Sequence, residues 1–150
     1  MTTGDLTIVF DEKGGADAQL VRERLDMYNV GATGVSTYYP VHFFVKSSLG
    51  ETTGGVLGGI WGGWLHISFL WIDESVRGQD WGTRLMDHAE AYAREHGCHS
   101  ATLDTHSFQA RPFYEGRGYE VFGTLDDYPE GHKKFFLRKK LYTCSCYDQR

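Results

Sequence analysis

The chain has 150 residues, 41% of them hydrophobic and 23% charged, with a formal net charge of -5 at pH 7. That length suits one domain able to bury roughly two thirds of its unfolded surface, and no run of about 20 apolar residues offers a membrane span. The acidic balance excludes a binder of the nucleic-acid backbone, which needs clustered Lys and Arg, and Cys98, Cys144 and Cys146 show neither zinc-ligand spacing nor a disulfide framework.

The first residues, MTTGDLTIVFDEKGG, lack the basic stretch and long apolar run of a secretory leader, so a cytoplasmic location is the expectation. TIVF reads as a short strand. Ala18, Val21, Leu25 and Tyr28 then recur at helical spacing and Gly31 follows as a stop, which predicts an amphipathic helix over about 17–29. VGATGVSTYYP is loop chemistry and VHFFVK has strand composition. GGVLGGIWGGWLHISFLWI predicts two antiparallel strands, VLGGIW and WLHISFLWI, hinged at Gly62 and Gly63.

After Gly82 the apolar set Leu85, Met86, Ala89, Tyr92 and Ala93 marks a helix, with Glu90 pairing Arg94 on its surface and Gly97 ending it. SATLDT reads as a strand, and ARPFYEGR as a short helix with Pro112 in its first turn and Gly118 as its stop. YEVFGTL and KFFLRKKL are strands joined by the acidic turn DDYPEGH; the basic run KKFFLRKK reads as an edge-type strand with solvated lysines. The order of elements predicts an α/β or α+β protein built on one sheet. Residues 142–150, YTCSCYDQR, read as a frayed tail.

The stretch VRGQDWGTRL, residues 76–85, carries the chemistry. A strand ending at Ile72, a tight loop and a helix opening near Thr83 aim free backbone N–H groups and the positive end of a helix dipole at one spot, which suits an anion. Arg77 adds a cation. The spacing R-x-x-D-x-G is neither a dinucleotide fingerprint nor a P-loop. An ordinary strand-to-helix turn with a solvated Arg is the competing reading.

LWIDESVRGQDWGTRLMDHAEAYAREHGC, with FQARPFYEGRGYEVFG downstream, resembles the GNAT superfamily of acyl-CoA-dependent N-acetyltransferases. The family signature R/Q-x-x-G-x-G/A falls on Arg77, Gly78, Gln79, Asp80, Trp81 and Gly82, and the later pattern A-x-x-x-Y-x-x-x-G-Y falls on Ala110, Tyr114, Gly118 and Tyr119. The resemblance runs from about residue 56 to 141 and departs at Asp80, where glycine is usual, and at Ser107, where Asn is frequent. It implies a single mixed, mostly antiparallel central sheet flanked by helices, residues 1–141 as one acetyltransferase domain, and splayed parallel strands that bind acetyl-CoA. Leu70 and Ile72 would hold the cofactor arm through main chain, the loop Arg77 to Thr83 its diphosphate, and Ser107 and Phe113 would complete the site. Asp80 can enter the left-handed region at modest cost, but its carboxylate repels a diphosphate unless it turns to solvent or pairs with Arg77 or Arg84.

The resemblance makes Tyr114 the general acid for the departing thiolate; a core aromatic beside Phe113 is the alternative. For the base, a period of two places His66 and Ser68 on one face with Leu70 and Ile72. Asp104, sharing a face with Thr102 and His106, is the second candidate and Asp73 the third. The acceptor pocket is expected from Tyr38, Tyr39, Trp64 and the turn carrying Asp126, Asp127, Tyr128 and Glu130, whose acids would attract a cationic amine. A polyamine, an aminoglycoside-like antibiotic, an amino acid or a lysine side chain all fit. No metal site, nucleic-acid partner or membrane partner is expected, and a homodimer fits the family's habits. The alternatives are a non-catalytic acyl-CoA-binding module and a structural partner protein.

Overall fold

Gly62 at φ 60° and Gly63 at φ 82° place two left-handed residues in a row, the geometry that turns a two-residue hairpin with the natural strand twist. Trp61 therefore pairs with Trp64, and the strands on either side of the turn lie antiparallel. The computed structural model describes residues 4–141. The chain divides into two units, residues 1–36 and 37–150.

In the first unit a helix, α1, spans Gly15–Thr33 and buries none of its residues. It runs past Gly31 and ends at Gly34, which takes φ 71° and donates its N–H to the Val30 carbonyl at 2.7 Å. A glycine inside a helix costs only about 1 kcal/mol, so Gly31 does not stop it. TIVF is not a strand: Ile8, Val9 and Phe10 are exposed, and no strand of the described residues pairs with them.

The second unit holds a six-stranded sheet in the order β1-β2-β3-β4-β6-β5. The strands are β1 (Tyr39–Lys46), β2 (Thr52–Trp61), β3 (Trp64–Ile72), β4 (Ser100–His106), β5 (Glu120–Asp126) and β6 (Lys133–Lys140). All neighbours are antiparallel except β3 and β4, which α2 (Trp81–Glu95) joins as a crossover. One face of the sheet is apolar: Val56, Leu65, Ile67, Ala101, Leu103 and Leu137 are buried against Leu85, Met86, Ala89 and Ala93 of α2. A short helix, α3 (Arg111–Gly116), adds Tyr114 to this core.

Two expectations fail for one reason. The strand KKFFLRKK is interior, between β4 and β5, and Glu90 does not lie on the surface of α2. Glu90 is 2% exposed; it accepts from Tyr119 Oη at 3.0 Å and Lys139 Nζ at 2.8 Å, and forms an ion pair with Arg117. Arg117 also bonds Asp87 at 2.8 Å and reaches the Thr83 carbonyl at 3.4 Å. Lysines can thus occupy an inner strand because one of them, Lys139, meets a buried carboxylate on the helix above. The cluster fastens β6 and the segment after α3 to the middle and first turn of α2. It also holds the Tyr119 phenol neutral, raising its pKa mainly through burial and then through the charge of Glu90.

Removing Glu90 would leave Arg117 and Lys139 without their shared counter-ion. Glu90→Ala is expected to lower the unfolding free energy by about 3–5 kcal/mol in urea titrations. Glu115→Ala, which removes an exposed i,i+4 pair with Arg111, should cost under about 1 kcal/mol in the same assay.

Candidate active site

β3 and β4 pair only from Trp64 with Ser100 to Ile67 with Leu103. Both strands continue, to Ile72 and His106, but without pairing, so a gap opens between their C-terminal halves. A bulge sits at the same point on the other side of β3. Leu57 faces Phe69 while Gly58 faces Ile67, which leaves Ser68 as the extra residue. Gly58 is required there, because a Cβ at this position would lie 2.2 Å from the His66 carbonyl oxygen.

The bulge resets which residues share a face. Leu65 and Ile67 point into the core, and beyond Ser68 it is Leu70 and Ile72 that return to that side, while Phe69 and Trp71 point away. The ladder sorts the main chain as well. Asp73 donates its N–H to the Thr53 carbonyl at 2.8 Å, so by antiparallel alternation Trp71 spends its backbone groups on β2, and Leu70 and Ile72 aim theirs into the gap. The Ile72 carbonyl accepts from Arg77 Nε at 3.1 Å.

The loop closes as its sequence requires. Gly78 takes φ 78° and Asp80 takes φ 62°, ψ 20°, the left-handed conformation that Asp enters more readily than most residues. Asp80 is the N-cap of α2 without a capping side-chain bond, so the first-turn N–H groups of Trp81, Gly82 and Thr83 lack an acceptor within the helix. Its carboxylate is exposed and makes no ion pair among the described residues. Arg84 stacks over Trp81 at 4.2 Å instead.

A cavity of about 700 Å³ fills the gap. Leu70, Ile72, Arg77, Gly82, Asp104, Phe113 and Tyr114 all line it. Tyr114 is 7% exposed and packs edge-on against Phe113 and Tyr119. Burial first, and then the negative charge of Asp104, push its phenol up to about 12, so it is a neutral proton donor at ordinary pH. Asp104 pairs with Lys134 Nζ at 3.5 Å.

Other expected residues lie elsewhere. His66 does not line the cavity: the bulge puts it on the face opposite to Leu70 and Ile72, where it meets Ser68 Oγ at 3.4 Å. Asp73 caps a turn of 3-10 helix at 74–76, and the hydroxyl and N–H of Ser75 hold its carboxyl below the usual range, which makes it a poor base. Ser107 is occupied in fastening β4 to the start of β6, its Oγ accepting from Lys133 N at 3.0 Å. Thr83 faces Arg117 rather than the gap. Trp64 starts β3, roughly 26 Å along the strand from Ile72 at about 3.3 Å per residue. Tyr39 packs on His96 at the far end of α2, and Tyr38 covers Gly59. Asp126 is paired with Lys133, and Asp127 Oδ1 accepts from Gly131 N at 3.2 Å within the turn. Tyr128 does reach the site's rim, stacking on His106 at 5.6 Å. Sequence reasoning missed Phe69, Trp71, His106 and Phe108, which also line the cavity. The signal available was the Gly58-Gly59 pair opposite a strand with no other reason to bulge.

Residues 18–119 match the acetyltransferase (GNAT) family. Over 93 residues, 61% of this chain and 68% of the relative, the sequence is 42% identical to blasticidin-S acetyltransferase of Streptomyces morookaense. The crystal structure of an acetyltransferase from Bacillus cereus superposes with a TM-score of 0.80 at 32% identity, covering 93% of this chain and 99% of that one. A protein of Bacillus anthracis named as a streptothricin acetyltransferase, solved with acetyl coenzyme A, shares the fold at a TM-score of 0.58 and 18% identity, over 67% of this chain and 62% of its own. The family match spans more than half of the sequence, and the chain therefore belongs to the GNAT family of acetyltransferases.

Proposed function

We propose that the protein moves an acetyl group from acetyl-CoA to a primary amine of a small molecule, by direct attack with both partners bound. The observation that carries this reading is the gap between β3 and β4, where free main-chain groups, an uncapped helix start and a neutral phenol line or border one cavity. The residues suit the donor. The Leu70 main chain and the Ile72 N–H offer hydrogen bonds to an amide-bearing arm, while Arg77 Nε holds the Ile72 carbonyl, and the first turn of α2 with Gly78 offers N–H groups to a diphosphate. Acetyl-CoA supplies the activated acetyl thioester. On the chain's side, Asp104 accepts a proton from the amine, directly or through water, and takes precedence over His66 because it lines the gap. Tyr114 gives its proton to the leaving sulfur. The relative named for blasticidin S makes an antibiotic amine the first acceptor to test. Residues 1–141 would form one such domain, cytoplasmic and homodimeric.

Thiol release from acetyl-CoA over a panel of amines tests the reading: acceptor-dependent release supports it, and tight binding of acetyl-CoA without release to any amine rejects it. Tyr114→Phe should lower kcat about hundredfold or more while leaving the acetyl-CoA Kd within twofold. Asp80→Gly removes a carboxylate beside the diphosphate and keeps the left-handed geometry, so calorimetry should show a several-fold lower Kd for acetyl-CoA. Asp104→Asn removes the second cause of the raised Tyr114 pKa but not the first. Phenolate absorbance, taken as the difference from the corresponding Tyr114→Phe protein, should give a midpoint below about 12 yet above that of a free tyrosine.

A further inference from the structure

The bulge at Ser68 gives the gap two unlike mouths. Leu70 and Ile72 belong to the face covered by α2, and Phe69 and Trp71 to the open face, together with Asp104 and His106 of β4. On that open face large rings are left in solvent: Phe69 is 69% exposed, Trp71 52%, Phe108 56% and Tyr128 49%. The rings are ordered relative to one another. Phe108 and His106 stack at 5.2 Å with planes 18° apart, and Tyr128 stacks on the same His106 at 5.6 Å and 21°. Single exposed aromatics need no explanation, but several around one opening mark a place where something apolar and flat is received.

Two of the carboxylates near this mouth carry ion pairs. Asp104 is balanced by Lys134, whose Nζ also lies 4.8 Å over the Tyr128 ring, and Asp126 by Lys133. Asp127 is engaged within its own turn. Asp127 and Glu130 make no ion pair among the described residues, so some negative charge stays at the turn, but what the opening itself presents is ring surface, from Phe69, Trp71 and Phe108.

We propose that the acceptor is an amine carried on a flat, unsaturated ring system, stacked between the rings of β3 and the His106 stack, rather than a flexible polyamine. This rests on the transferase reading above. Its test uses two amines of nearly equal size and charge, phenethylamine and cyclohexylethylamine, with spermidine as the polyamine, each compared as kcat/KM corrected for its free-amine fraction. A merely greasy pocket favours the puckered and more hydrophobic cyclohexyl ring; a stacking site favours the flat one. The expected result is a preference of about tenfold or more for phenethylamine over both others. Phe69→Leu and Trp71→Leu should each shrink that preference several-fold, chiefly through KM, with acetyl-CoA affinity unchanged within twofold. Equal rates for the two ring compounds, or a preference that survives both substitutions, would overturn the inference and leave the transferase standing. If acetyl-CoA binds but no amine is acetylated, the transferase reading falls alone, and quenching of tryptophan emission then decides the ring site: saturable quenching by phenethylamine, weaker with cyclohexylethylamine and lost in Trp71→Leu, supports it, and its absence removes it.

Discussion

Beyond Ile67 and Leu103 the two parallel strands have no hydrogen bonds to offer each other, and the whole site is built on that separation. Buried main-chain groups must find partners, so strands do not part inside a sheet without a local cause. Here the cause is the extra residue at Ser68, which bends β3 and raises its twist just where β4 would have to follow. The bend depends in turn on Gly58, since any side chain there would collide with the His66 carbonyl. One missing Cβ on β2 thus sets the course of β3, and through it the width of the gap and the direction of every side chain that lines it.

A gap in a sheet closes unless its walls are held from behind. α2 supplies one support, burying Leu85, Met86, Ala89 and Ala93 against the covered face. The Glu90 cluster supplies the other, since Arg117 follows directly on α3 and Lys139 belongs to the strand beside β4. Buried ion clusters add little net stability over apolar packing, but they fix orientation, because each partner left alone would be a charge without water. Arg117, bonded to both Glu90 and the Thr83 carbonyl, holds α3 and the first turn of α2 at a set distance. Tyr114 and the helix start that border the cavity are therefore placed by the same side chain.

Much of this was legible from local pattern. The Gly62-Gly63 hairpin, the buried face of α2 and the stop at Gly118 follow from residue spacing, and Asp80 adopts the left-handed geometry that its place in the signature demands. The failures share a physical reason, which is that they depend on partners distant in the chain. Nothing local distinguishes Glu90 from a surface glutamate, because its three partners lie at 117, 119 and 139. KKFFLRKK looks like an edge until β5 is seen to lie outside it. His66 was misplaced because alternation along a strand holds only while the register holds, and one bulge inverts it for everything downstream. Gly58 and Gly59 were visible, but their effect falls on the neighbouring strand.

The electrostatics of the gap follow from the same arrangement. A tyrosine serves as a proton donor only while it keeps its proton, and burial on the covered side secures that more strongly than any single neighbour does. Asp104 acts in the same direction from the other side, since a carboxylate across the gap disfavours a phenolate. Lys134 then keeps that carboxylate from standing alone at the open mouth. A phenol that stays protonated and a carboxylate that stays accessible are held on opposite sides of one opening, the separation that the proposed transfer asks of its proton donor and acceptor. That division is the bulge again, expressed in chemistry: parted strands give the cavity two sides, one burying the Tyr114 phenol and the other leaving the Asp104 carboxylate exposed.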